Sequence, residues 1–287
     1  MATDRELVTE RANKKHKTDD SAHDVDTEGP IEADFLFNDP APEDYSGILA
    51  IIQGYLKKVP WQPPQGCEDS IYGLLSTLIS EQPNLGTLIK TDNDDGEEAF
   101  VMAVLSILNL RMYPHLESLS HAIIALTERH GSKKDLETIT KILSDDKNQV
   151  GFIVNERLGN IPTQLIGSLH QCICDDIKWS VENADDDEER EFYKFTHLIG
   201  ISRVFTDNSK SFEAKNMAYV KPEERFYSEE ALVKYMWNTG ESNKIDFFED
   251  GDQQSPKSKM LPEAMMLYCI NFERLKRVVQ RITSMFA

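Results

Sequence analysis

The sequence predicts an α/β (α+β) fold with a single central, mostly mixed sheet flanked by helices, and three observations predict it. Strand-like apolar runs interleave with helix-spaced apolar positions from Ile31 to the end of the chain. Hydrophobic residues make up 40% of the 287, enough for a substantial core. No linker divides the chain after residue 31, so 31–287 reads as one domain and 1–30 as a disordered polar, acidic tail. Within the tail, Arg11-Ala-Asn-Lys-Lys-His-Lys17 is open to two readings: a nuclear import signal, or chance clustering on a solvated segment.

The elements follow in order. Ile31, Ala33, Phe35 and Phe37 alternate with mostly polar neighbours, a half-buried strand closed by Asn38-Asp-Pro40. From Tyr45 the spacing becomes helical through Ile48, Leu49, Ile51, Ile52, Tyr55 and Leu56, until Pro60-Trp-Gln-Pro-Pro-Gln-Gly66 breaks the chain. A second helix is predicted over 68–81, a strand over 85–90, an acidic turn over 91–98 and a further strand over 100–110. Helices follow at 115–129 and 136–143, then a buried strand at 150–154, then a helix opened by Pro162 and running through Ile177. Another helix is predicted over 188–204, beginning in an acid cluster that suits its positive N-terminus. Strands at 217–220 and 244–248 flank a predicted helix at 228–237, and 265–272 reads as a strand. Leu275, Val278, Val279, Ile282, Met285 and Phe286 mark the last helix.

Charge narrows the function. With 31 Lys+Arg against 50 Asp+Glu, the net charge is −19, which repels phosphate backbones and favours basic proteins as partners, with no direct nucleic-acid binding. No run approaches the ~18 apolar residues of a membrane helix, so no membrane partner is expected. The first residues carry acids and no apolar stretch, so no secretory signal is expected, and the four cysteines read as reduced thiols of the cytosol or nucleus.

Chemistry-bearing motifs are weak. Neither glycine-rich phosphate-binding string occurs. Around Asp92 the glycine and the final carboxylate miss their calcium-loop positions. His170, Cys172 and Cys174 fall on different faces of a predicted helix and read as packing residues, not zinc ligands. No cofactor, metal or catalytic residue is therefore expected. The acid clusters remain. Stretches 92–98, 182–191 and 246–252 hold 16 acids against one base, while the tail has 8 acids against 5 bases and the rest of the chain 26 against 25. Three such segments set a negative potential suited to a basic partner.

Particular residues carry a resemblance. Val150-Gly-Phe-Ile-Val-Asn-Glu-Arg-Leu-Gly-Asn-Ile-Pro-Thr-Gln-Leu165, with Leu169-His170 and Asp176-Ile-Lys-Trp179, resembles the central signature of the BCCIP family. Asp34-Phe-Leu-Phe-Asn-Asp-Pro40, Asp44-Tyr-Ser-Gly-Ile48, Gly86-Thr-Leu-Ile-Lys90 and Pro222-Glu-Glu-Arg-Phe226 fall in the family's order. The resemblance implies a fold similar to the GCN5-related acetyltransferases and a non-enzymatic nuclear protein with cytoplasmic shuttling. Animal members bind a recombination-repair protein and a cyclin-dependent-kinase inhibitor. The fungal member chaperones a large-subunit ribosomal protein and supports nuclear export.

The expectation is thus a monomeric acidic chaperone or adaptor for a basic client, plausibly a ribosomal protein, with a cell-cycle and repair scaffold as the alternative. The expected contacts are Asp185, Asp186, Asp187, Glu188 and Glu189, with Glu223 and Glu224 beside them. An acyltransferase is the disfavoured third reading. Aligning the acetyltransferase pyrophosphate loop with Arg111-Met-Tyr-Pro-His-Leu116 puts Pro114 where an N–H is needed and Leu116 where a small residue is needed, so no acetyl-CoA binding is expected. Phe152 and Val154 read as a buried strand, Asn160-Ile-Pro162 as a tight helix entry, and Glu156 and Arg157 as a local ion pair or a surface site.

Overall fold

One sheet organises the chain. In the computed structural model, which describes residues 34–286 apart from 66, 68, 83, 93–98, 207–216 and 248–256, strands β1 (Asp34–Asn38), β2 (Thr87–Asp92), β3 (Val101–Asn109) and β4 (Val150–Arg157) pair antiparallel in that order. Strand β5 (His197–Thr206) then pairs parallel with β4, and on its other side antiparallel with β8 (Lys257–Asn271), which carries β7 (Val233–Phe247) at the edge. A three-residue strand, β6 (Met217–Tyr219), pairs with the far half of β5.

Helices cover both faces. Helices α1 (Tyr45–Ile52), α2 (Ile71–Glu81), α3 (Glu117–His130) and α4 (Lys133–Ser144) bury Ile48, Leu75, Ile123 and Ile139 against Val104, Phe152, Ile199 and Trp237. On the opposite face α5 (Gln164–Asn183), α6 (Asp187–Tyr193), α7 (Glu224–Glu229) and α8 (Leu275–Phe286) bury Leu169, Ile173, Tyr193, Phe226 and Val279 against Ile107, Ile153 and Leu198. Every residue of β3 is buried, which is why it reads as an unbroken apolar run. Ser132 caps α4, accepting from the Asp135 N–H at 3.1 Å, and the Asp135 carboxylate closes the capping box.

Four expectations change. The first helix ends at Ile52, because Gly54 (φ +83°) and Lys58 (φ +58°) turn the chain into the left-handed region, leaving Tyr55 and Leu56 in a turn. The helix expected over 188–204 is α6 followed by β5. His197–Thr206 is buried between β4 and β8, and a strand enclosed on both faces has no period of its own to separate it from a buried helix. The helix expected over 228–237 is the short α7, and 233–247 is one long strand with Val233, Tyr235 and Trp237 facing one core and Met236 facing away. The last strand begins at Lys257, well before Met265. The tail and Ile31 lie outside the described residues.

Candidate functional site

The single parallel pair among the described strands marks a switch in the sheet. Pairing runs from Val150↔His197 to Ile153↔Gly200, after which β4 and β5 part. Open α/β sheets take ligands in the crevice outside the carboxyl ends of strands at such a point. Here the crevice is filled by the chain itself.

Tyr55, placed by the turn after α1, enters the opening, and its hydroxyl donates to the Ile153 carbonyl at 2.8 Å. Burial raises the phenol pKa well above its ordinary value, Glu224 and Glu156 push the same way, and a backbone hydrogen bond from Ile201 opposes them. The hydroxyl is therefore a permanent neutral donor. Beyond it, β6 takes the free edge of β5 from Val204↔Tyr219 to Thr206↔Met217. Lys221 follows directly. Its ammonium donates to the Asn155 carbonyl and to Glu156 at 2.5 Å, stands 3.1 Å from Glu224, and lies 5.5 Å from the centre of the Tyr55 ring. Burial opposes its charge but is outweighed by Glu156 and Glu224, so its pKa is raised.

Glu223 and Glu224 correct an expectation. At 0% and 1% exposure they are unavailable to a client. Glu223 takes a bidentate pair from Arg157 at 2.6 and 3.2 Å, and Glu224 accepts from Asn155 Nδ2 at 3.2 Å. The first turn of α7 lies against the seam, and only there can Arg157 and Lys221 offset these charges. Glu156 and Arg157 are thus neither a local pair nor a surface site: each reaches to the 221–224 segment. Three carboxylates face two cations. Burial, reinforced by Glu223 and Glu156 against the attraction of Lys221, raises the Glu224 carboxyl to about 7.

The loop Arg111–Leu116 is also reassigned. It joins β3 to α3, and β3 is antiparallel to both neighbours, so the loop lies away from the switch. Arg111 instead pins the end of α4, donating to Asp146 at 2.7 Å and to the Asp145 and Asn148 carbonyls at 3.0 and 3.2 Å. The segment at the switch is Leu158–Thr163, where Pro162 offers no N–H and the Leu165 and Ile166 N–H groups are spent on Pro162 and Thr163. His170 is fully buried with Nδ1 3.0 Å from the Tyr227 hydroxyl, and burial holds its pKa down to about 3. Among the described residues no cluster of three or more His, Cys, Asp or Glu could hold a metal ion.

The acid cluster at α6 stands on the surface beside a groove. Met112, Tyr113, Phe192 and Tyr193 line a cavity of about 360 Å³ whose rim carries Asp186, Glu188 and Glu189. Tyr113 meets Phe192 edge-on at 5.6 Å, Phe192 meets Tyr193 at 4.9 Å, and the Tyr113 hydroxyl donates to Gln82 at 3.3 Å. Asp186 caps the helix, accepting from the Glu189 N–H at 2.8 Å, while Glu189 accepts from the Asp185 N–H at 2.6 Å. Asp187 pairs with Arg190. The Asp185 and Glu188 carboxylates make no ion pair with a described residue. An aromatic floor beneath carboxylates suits the apolar stem and charged head of Arg or Lys. Of the other acid clusters, 93–98 and 248–252 lie outside the described residues.

Sequence reasoning missed Tyr55, Lys221 and the groove aromatics. The pair Met112-Tyr113 in a loop was the available signal, since bulky apolar residues there need a surface to cover.

The switch point is sealed by the chain's own side chains, and a surface groove of aromatic and acidic residues lies at the opposite end of the β3–β4 pair, features of a binding protein on an α/β sheet. The BCCIP family model matches residues 30–254, and the chain belongs to the BCCIP family. "Protein bcp1" of Schizosaccharomyces pombe is 25% identical over 283 residues, covering 92% of this chain and 93% of that protein. "Protein BCCIP homolog" of Arabidopsis thaliana is 24% identical, covering 76% of this chain and 66% of its own length. The bovine "BRCA2 and CDKN1A-interacting protein" is 25% identical, covering 70% and 66%. The crystal structure of BCP1 from Saccharomyces cerevisiae superimposes with a TM-score of 0.54 at 17% identity, covering 88% of each chain, and shares the fold.

Proposed function

We propose that this protein is a non-enzymatic nuclear chaperone or adaptor that holds a basic client, a large-subunit ribosomal protein, until ribosome assembly, and supports nuclear export. The observation that carries the reading is the aromatic groove under Asp186, Glu188 and Glu189. It offers burial and charge complementarity together, so client Arg and Lys side chains gain charge-assisted hydrogen bonds while their stems leave water. Arg11–Lys17 would supply nuclear entry.

Co-expression with individual basic large-subunit ribosomal proteins tests it. A soluble one-to-one complex with one of them, lost on charge reversal at Asp185, Asp187 and Glu188, is expected; equal solubility of every candidate with and without this protein overturns the reading. The bovine relative's name favours a second reading, a scaffold for cell-cycle and repair proteins. Binding to a cyclin-dependent-kinase inhibitor and a recombination-repair protein, with no ribosomal client, would select it.

A further inference from the structure

On a chain of net charge −19, one face of the C-terminal helix concentrates positive charge. Arg274, just before α8, and Arg277 and Arg281 within it recur at helical spacing, and Arg225 of α7 faces them. Within this network the carboxylates are Glu229 and Glu230. Arg225 Nε lies 3.3 Å from Glu229, and Arg281 bonds the same carboxylate. Glu230 is shared by Arg277 at 3.1 Å, Arg274 at 3.6 Å and Arg281 at 3.8 Å.

Four cations over two anions leave the network at +2. Four guanidinium groups carry about 20 N–H donors against about 8 acceptor sites on two carboxylates, so more than half of the donors have no carboxylate partner within the network. Glu230 is 11% exposed beneath the Arg274 and Arg277 side chains at 52% and 61%, while Glu229, at 38%, is level with Arg225 and Arg281 at 41% and 35%. The geometry is also held in place. Arg225 and Arg281 both lie against the Phe226 ring, at 5.0 and 4.5 Å from its centre. The Arg225 Nε is buried, and its 3.3 Å approach to Glu229 is an ion pair without hydrogen-bond geometry.

We propose that Arg225, Arg274, Arg277 and Arg281 form a binding site for a phosphorylated side chain in a partner peptide. A phosphoryl group carries close to two negative charges and three acceptor oxygens, which matches the residual +2 and the guanidinium donors without a carboxylate partner; a carboxylate supplies half that charge. A nucleic-acid strand would extend past the patch onto a strongly negative molecule.

Fluorescence anisotropy tests the proposal with the full chain and four labelled probes: a Gly/Ser decapeptide with one phosphoserine, its unphosphorylated form, its glutamate form, and a ten-nucleotide single strand. The phosphopeptide should bind at least tenfold more tightly than the other three. The double variant Arg274→Gln/Arg277→Gln, chosen because Arg225 and Arg281 remain to tie α7 to α8, should weaken it at least tenfold with an unchanged melting temperature. Equal affinity for phosphorylated and unphosphorylated peptides overturns the proposal, as does tighter oligonucleotide binding. A double variant that melts earlier yet binds the phosphopeptide as before assigns the cluster to helix docking alone and overturns it too.

Discussion

The Tyr55 hydroxyl meets the Ile153 carbonyl at 2.8 Å across 98 residues of sequence, at the point where β4 leaves β5. A phenol thereby completes a strand end that has lost its ladder partner. Tyr55→Phe leaves that buried carbonyl unpaired and should cost about 1–3 kcal/mol in urea unfolding. A loss below about 0.5 kcal/mol would mean that water or a backbone shift replaces the hydroxyl.

Lys221 is the cation paired with both Glu156 and Glu224 inside the seam. Lys221→Met strands both carboxylates and should destabilise by roughly 3–5 kcal/mol, with much of the loss recovered when Glu224→Gln is added. Strict additivity of the two changes would argue against the coupling.

Stability should depend on pH with two opposing slopes. Glu224 is raised from 4.5 to about 7, so the folded state holds a proton that the unfolded state has released, and this contribution is present below 4.5 and lost as pH rises towards 7. His170 is depressed from 6.5 to about 3, so its contribution is present above 6.5 and lost as pH falls. Between 4.5 and 6.5 the two offset each other; just above 6.5 the Glu224 slope remains, up to about 1.4 kcal/mol per pH unit. Chemical denaturation at half-unit steps should show a flatter curve above pH 6.5 for Glu224→Gln. An identical profile would remove Glu224 as the titrating group.

At the groove, charge and aromatic surface should separate kinetically. Charge reversal at Asp185 and Glu188 should slow client association several-fold at low salt, with the difference fading as salt rises, whereas Phe192→Ala should mainly speed dissociation. Association rates indifferent to both charge reversal and salt would take the client elsewhere.

Gly200 lies under Tyr268: a Cβ there would sit 2.2 Å from the phenol oxygen and 2.3 Å from the ring carbon bearing it. Gly200→Ala should cost about 1–3 kcal/mol by overpacking, partly relieved by Tyr268→Leu. Thermal melts of the two single variants and the double variant measure the coupling.

Much of the architecture is legible along the chain. The amphipathic stripes of α3, α5 and α8, the unbroken β3 and the Pro-rich break after α1 each follow from side-chain period or backbone restriction, which act locally. The α6 acids were equally legible, because charge at a helix start declares itself in order. The misread segments share one cause. His197–Thr206 and Val233–Phe247 take their conformation from strands distant in sequence, so local spacing could not separate strand from helix.

By itself the sequence determined the α/β class, the excess of negative charge and the cluster Asp185–Glu189. Tertiary structure alone decided what the charges do. Glu223 and Glu224 are written like any exposed acidic pair, yet they are buried because α7 packs on the seam beside Arg157 and Lys221. Met112 and Tyr113 became a groove because the β3–α3 loop meets α6. Burial and pairing depend on which segments meet in space, and one-dimensional spacing carries no such distance.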